Sequence, residues 1–231
     1  MQLVDYSGFG LRVARHVLQA PDRPLTVTLF PMVHIGEPGF FEKVATDAGA
    51  HDVILAEGVD APAVKRITRS YRWIALEELG LVLQPRARDM FQGRTIVHAD
   101  LEGAEFQTLW FRAPMWQRAA IEIGAAVFGV GRRLFASRSS IGAQLVLDDG
   151  PDRAAALRWS PETAAMNEAI HTARDQRLLK VLGREMNDGK GAPRSIAVVY
   201  GAGHMPAVTT MLAKQGFRVT QSDWIKVFDP V

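Results

Sequence analysis

Apolar positions along the chain recur with two different periods, and the switches between them mark the elements. Gly10-Leu11-Arg12-Val13-Ala14-Arg15-His16-Val17-Leu18 alternates loosely and predicts an edge strand. Pro21 to Pro24 makes a turn. Leu25-Thr26-Val27-Thr28-Leu29-Phe30 then reads as a buried strand rich in β-branched residues, ending at Pro31-Met32-Val33-His34. After Gly36, Pro38 and Gly39 a short helix is expected from Phe40 to about Ala48. Asp52-Val53-Ile54-Leu55-Ala56-Glu57 is a third strand, stopped by Gly58. Pro62 stands where a helix begins, and a helical pattern continues to about Leu79. Arg94-Thr95-Ile96-Val97-His98-Ala99-Asp100 is a fourth strand, short and buried.

From Glu102 to about Gln176 the strand period vanishes and the spacing is helical. Asp148-Asp149-Gly150-Pro151 and Ser160-Pro161-Glu162 interrupt it, the second with a Ser cap and a Pro at the first helical position. The helix after Pro161 is expected to reach about Met186, followed by a turn at Asn187-Asp188-Gly189-Lys190-Gly191. Ser195-Ile196-Ala197-Val198-Val199-Tyr200 is as apolar as a central parallel strand. Gly201-Ala202-Gly203-His204 and a helix from about Pro206 to Gln215 follow. Phe217–Thr220 and Trp224–Phe228 supply one or two last strands. The alternation predicts an α/β fold: a mainly parallel sheet flanked by helices, with a helical insert at residues 102–176 between the fourth and fifth main strands. No repeat or linker divides the chain, so residues 1–231 read as a single domain.

Composition narrows the class. Hydrophobic residues make up 48% and charged residues 23%, which excludes a disordered chain, a coiled coil and a collagen-like repeat. There is no cysteine, hence no disulfide, thiolate metal site or cysteine nucleophile, and any metal must rely on His, Asp, Glu or backbone oxygen. The formal charge is +2 and the arginines are scattered, with Arg132, Arg133 and Arg138 the one small cluster, so no nucleic-acid partner is expected. The apolar run from Ala119 to Gly131 contains Glu122 and falls short of the roughly 20 residues a spanning helix needs. It reads as a buried or interfacial helix. The N-terminus lacks the features of a signal peptide, so a cytoplasmic location is expected, with peripheral membrane contact left open.

The candidate chemistry is positional. His34, Glu57, His98, Asp100 and His204 each lie just past an apolar strand. Ligands of open α/β sheets bind outside the carboxyl ends of the strands, so residues distant in sequence could converge on one edge. Two imidazoles and a carboxylate there suit a divalent ion with positions open for water and substrate. Gly201 and Gly203 can bring the backbone close to such a site while delivering His204; the third glycine of the dinucleotide fingerprint and the P-loop lysine are missing.

Phe30-Pro31-Met32-Val33-His34-Ile35-Gly36, Ile54-Leu55-Ala56-Glu57-Gly58-Val59 and Val198-Val199-Tyr200-Gly201-Ala202-Gly203-His204-Met205-Pro206, together with Arg174-Asp175, resemble the TraB/PrgY/GumN/TIKI family. That family sits in a wider group with erythromycin-esterase-like and ChaN-like proteins. The resemblance covers both ends of the chain; the helical middle carries no diagnostic residues. It implies an α/β core in which two Gly-x-x-His motifs and a Glu form a metal-dependent hydrolase site. His34 and His204 would hold a divalent transition metal, and Glu57 would complete the coordination or act as general base. Arg174, or the metal, would stabilise the oxyanion, and His98 and Asp100 would be additional ligands or groups orienting a ligand. Two positions depart from the family. Pro31 replaces the first motif's Gly and removes a backbone donor, and Ala173 occupies the acidic position before Arg174.

The expected activity is hydrolysis of a peptide, ester or related acyl bond. The alternatives are a binding protein using the same pocket for a peptide, a porphyrin-like cofactor or another small ligand, and a regulatory module acting through the insert. Structural roles compete at each residue. Glu57 could cap a turn, Asp100 could N-cap the helix after Leu101, Arg174 could be a solvated helix residue, and His171 is expected at the surface. His16 and His51 carry no special signal. Trp110, Phe111, Met115, Trp116 and Phe128 recur at roughly helical spacing and read as core or lid; the alternative is a membrane-facing cover with Arg132, Arg133 and Arg138.

Overall fold

The computed structural model describes residues 2–148, 164–188 and 194–230. The chain first forms β1 (Val4–Ser7), β2 (Gly10–Gln19), β3 (Leu25–Met32), a short β4 (Ile35–Gly36), α1 (Pro38–Gly49) and β5 (Val53–Ala56). Next come α2 (Pro62–Thr68), 3₁₀ turns at Arg69–Trp73 and Glu77–Leu79, β6 (Val82–Leu83), α3 (Ala87–Met90) and β7 (Ile96–His98). Helices α4 (Gly103–Arg112), α5 (Met115–Phe135) and α6 (Arg138–Asp148) follow. Further on, α7 (Ala164–Asn167) passes through a π turn (Glu168–Thr172) into α8 (Ala173–Asn187). The last elements are β8 (Arg194–Gly201), a 3₁₀ turn (Ala202–His204), α9 (Met205–Lys214) and β9 (Arg218–Phe228).

The apolar runs pair as their composition demands. Strands buried on both faces have no polar side to show, and Val27, Leu29, Ile54, Leu55, Ile196, Ala197 and Val198 are all fully enclosed. β3, β8, β5 and β7 lie side by side in parallel, with Leu29 opposite Val198, Ala197 opposite Ile54, and Ile54 opposite Ile96. β8 returns from late in the chain to insert between β3 and β5. β2 is antiparallel to β3, β1 and β9, which makes the seven-stranded sheet mixed at one end and parallel at its centre. Phe40, Phe41 and Val44 of α1, Leu178 and Leu182 of α8, and Val208 and Leu212 of α9 all join the core around the sheet. A second apolar cluster, with Trp110, Phe106, Leu101, Ala63 and Met166, lies among the helices α2, α4 and α7.

Several local expectations change. Gly10–Leu18 lies in β2, which has strands on both flanks, so it is interior rather than an edge; its partner β9 lies some 200 residues away in sequence, with His16 paired to Ser222. Of the one or two last strands expected, the chain forms one, Arg218–Phe228. The helix expected to run from Pro62 to Leu79 stops at Thr68. Thr68 and Ser70 turn their hydroxyls back onto the carbonyls of Val64 and Ile67, competing with the helical ladder, and 3₁₀ turns follow. Pro31 stands beyond the last β2 rung, at Leu29, where β3 has lost its neighbour on that flank. Arg138 is held by the Leu79 carbonyl at 2.9 Å and Glu37 at 2.7 Å. The breaks at Asp149–Pro151 and Ser160–Glu162, and the Gly189–Gly191 turn, lie outside the described residues. Among the described residues no helix is long and apolar enough to cross a membrane.

The start of α4 fixes the two loops that carry the candidate site. Glu102 and Glu105 form a reciprocal capping box, and a Cβ on Gly103 would collide with the Asp60 carbonyl in the loop after β5. Gly103 therefore lets the loops after β5 and β7 close on each other. Gly103→Ala should destabilise the protein by about 2 kcal/mol or more in urea unfolding, although alanine is the better helix former. A neutral or stabilising result would show that the contact relaxes freely.

Candidate functional site

The parallel centre delivers the strand-end residues to one edge. His34 lies two residues past β3, Glu57 directly past β5, Asp100 two residues past β7, and His204 at the end of the turn that follows β8. Arg174, on α8, ties this edge together. Its Nη2 donates to Glu57 Oε1 at 2.8 Å, and its Nε and Nη2 hold both oxygens of Asp100 at 2.9 and 2.7 Å. The Asp100 pairing is bidentate, the geometry in which guanidinium binds a carboxylate best. Asp100 is fully buried and also accepts the backbone N–H groups of Gly58 and Leu101 at 3.1 and 2.8 Å. The second oxygen of Glu57 accepts the Gly201 N–H. A Cβ on Gly201 would lie 3.1 Å from that oxygen, so glycine permits the close approach.

The residue after Arg174 points elsewhere. Successive helix positions diverge by about 100°, and Asp175 reaches His204, whose Nδ1 donates to Asp175 Oδ1 at 2.6 Å. Both side chains are nearly enclosed. Nδ1 is committed in this way, and among the described residues no hydrogen bond to Nε2 is found. Tyr200 packs edge-on to the His204 ring at 4.9 Å, and its own ring lies 5.6 Å from the Arg174 guanidinium carbon. His171 packs against His204 at 5.4 Å between ring centroids. It sits in the π turn, an irregularity often found where a helix lines a functional site.

Burial and charge compete here, and charge wins for both acids. Burial pushes the Glu57 pKa up, but the Arg174 guanidinium bonded to it outweighs burial and holds Glu57 below the ordinary carboxylate value. Burial likewise raises Asp100, and the Arg174 hydrogen bonds and charge, with the backbone donors, bring it below its ordinary value. Burial also drives the Tyr200 hydroxyl upward, further than Arg174 can offset, so it stays protonated.

Glu57, Asp100 and Arg174 thus form one hydrogen-bonded network, and His204 is bonded separately, to the neighbouring Asp175. His34 packs its ring 5.8 Å from Tyr71. His98 is 44% exposed, contacts the Gly58 carbonyl through Nε2 at 2.7 Å and faces Glu102, so it braces the loop after β5. Asp100 is not the N-cap of α4; Glu102 holds that position. Gly203 lies within the 3₁₀ turn that precedes His204. His171, expected at the surface, is half-buried against His204. Asp175, Tyr200 and Tyr71 are additions that the sequence patterns did not single out for chemistry. Spacing could have found His171 alone, one turn before Arg174.

Among the described residues, the side chains as they stand do not present a ligand set for a divalent ion. Both Glu57 oxygens already face donors, Arg174 and the Gly201 N–H, and among the described residues no three His, Asp or Glu groups are placed to share an ion. Two surface cavities, of about 770 and 380 Å³, lie elsewhere; the larger is lined by Leu25, Asp52 and Arg194 at the opposite, amino edge of the parallel strands. No family model matches the chain, and neither a curated protein nor a solved structure matches it.

Because the folded pKa values of Glu57 and Asp100 lie below their unfolded ones, the stability they add is present above about pH 4 and is lost as pH falls through the lowered values. Arg174→Gln removes the charge that outweighs burial, leaving two buried carboxylates that oppose folding until they are protonated. The substitution should cost about 3–5 kcal/mol near pH 7, and urea titrations should show that cost shrinking as pH is lowered. A cost that is the same at every pH would contradict the pairing.

Proposed function

We propose that the chain is a hydrolase of acyl bonds, in peptides, esters or related compounds, with His204 as the general base. The observation that carries this reading is the His204–Asp175 pair: a buried carboxylate binds Nδ1 and orients the ring, whose Cδ2 edge lies toward Gly201, the residue that donates to Glu57. In the reaction, Nε2 takes a proton from a water molecule as that water attacks the carbonyl carbon. Asp175 stabilises the imidazolium that forms, and the same proton then passes to the leaving group.

Glu57 is the weaker candidate for base, since a carboxylate held ionised by Arg174 and Gly201 has little affinity for a proton near neutrality. Its role in this scheme is to orient Arg174. Arg174 Nη1 makes only a long contact, 3.4 Å, with the Ile170 carbonyl, and it is the cation available to the oxyanion. The likeness of segments 30–36, 54–59 and 198–206 to the TraB/PrgY/GumN/TIKI family supports the same reaction class.

The purified chain should be screened against chromogenic ester and peptide substrates, with and without chelator. His204→Ala should lower kcat by about 10²–10⁴-fold, and Asp175→Asn should lower it while shifting the acid limb of the pH profile. Full activity in His204→Ala would overturn the assignment. Activity abolished by chelator and restored by a divalent ion would favour the metal-dependent scheme built on His34 and His204. Tight ligand capture without turnover would favour the binding-protein reading.

A further inference from the structure

α5 has one face on the protein and one face bare. Its packed side rests on α2 and the 3₁₀ turn that follows: Gly129 is buried, and a methyl group there would press into Ser70 and Trp73. On the opposite side, large apolar groups meet solvent: Trp116 is 64% exposed, Ile123 63%, Val127 68% and Val130 52%. At 3.6 residues per turn these positions fall on one stripe about 21 Å long. Phe111 and Met115, 59% and 77% exposed, extend it across the junction with α4. Isolated exposed apolar side chains are ordinary, whereas a contiguous stripe of this kind marks a surface that something covers.

The charges around the stripe select the occupant. Between Phe111 and Phe135 the sequence carries Arg112, Arg118, Arg132 and Arg133 against a single acid, Glu122. Glu122 is neutralised by Arg66, whose Nε and Nη2 donate to it at 3.0 and 2.9 Å. Arg118 lies over the exposed Phe111 ring, 4.9 Å from its centroid. Arg112 and Arg118 therefore stand at one end of a convex apolar stripe whose neighbouring acid, Glu122, is compensated. A bilayer interface accepts a convex helix without a complementary groove, buries Trp, Phe and Met at headgroup depth, and presents acidic lipids to arginine. Lying in the plane of the interface also fits a helix that is not apolar enough to span it. We propose that the outer face of α5, with Phe111 and Met115, is a docking surface for membranes containing anionic lipid.

The full chain should be sedimented with vesicles of phosphatidylcholine alone and of phosphatidylcholine mixed with phosphatidylserine. Binding to the mixed vesicles should be about tenfold tighter or more, and should weaken as salt is raised. Ile123→Glu combined with Val127→Glu should abolish it with an unchanged circular dichroism spectrum, since both side chains point outward. Arg112→Gln should keep the stripe and reduce only the preference for acidic lipid. A blue shift of tryptophan emission on binding should be smaller in Trp116→Phe. Absence of binding to either vesicle, or binding that Ile123→Glu and Val127→Glu leave intact, would overturn the proposal. So would a dimer, seen by analytical ultracentrifugation and lost in the same variant, that forms without vesicle binding; a second copy would then cover the face.

Discussion

A guanidinium shared by two buried carboxylates is the constraint on which the candidate site depends. Taking a charge out of water costs several kcal/mol even after relaxation, so Arg174, Glu57 and Asp100 are tolerable only together. Their bonds join the end of β5, the loop after β7 and the helix α8, which are 117 and 74 residues apart along the chain. Asp100 goes further by taking two backbone N–H groups, so the β5 and β7 loops close on one carboxylate. With α8 fixed by Arg174, its next residue, Asp175, is delivered to His204. The position of the imidazole thus follows from an ion pair that does not itself touch it.

Much of the fold can be read from the chain because its central strands are buried on both faces and appear as unbroken apolar runs. Segments 25–30, 53–56 and 195–200 are of this kind, and their shared direction is what gathers His34, Glu57, Asp100 and His204. What local pattern cannot reveal is pairing at long range. β2 looks like an edge until β9 closes against it, and residues 69–79 look helical until Ser70 and Trp73 are pressed against α5. The same limit applies within the site. Arg174 stands out in the sequence as a candidate, but its commitment to Asp100 depends on a loop that no spacing rule connects to α8. Tyr200 and His171 matter through the ring packed between them, and neither periodicity nor motif records a ring contact.

The network also separates roles among residues that look interchangeable in sequence. Glu57 and Asp175 are both acids beside a basic partner, yet one faces a permanent cation and the other an imidazole that can gain and lose a proton. α5 presents an apolar stripe to the outside while its inner face packs on the turn at Arg69–Trp73 and, through Ile121, joins the apolar cluster that holds Ile170 and Ala173 beside Arg174.

The sharing of Arg174 is tested most directly by a double-mutant cycle on the unfolding free energy, using Arg174→Gln, Asp100→Asn and the combination. If the buried guanidinium and carboxylate stabilise each other, the double variant will be more stable than the sum of the single losses by about 1–3 kcal/mol. Additivity within about 0.5 kcal/mol would mean that the two side chains act independently, and the arrangement of α8, Asp175 and His204 would need another cause.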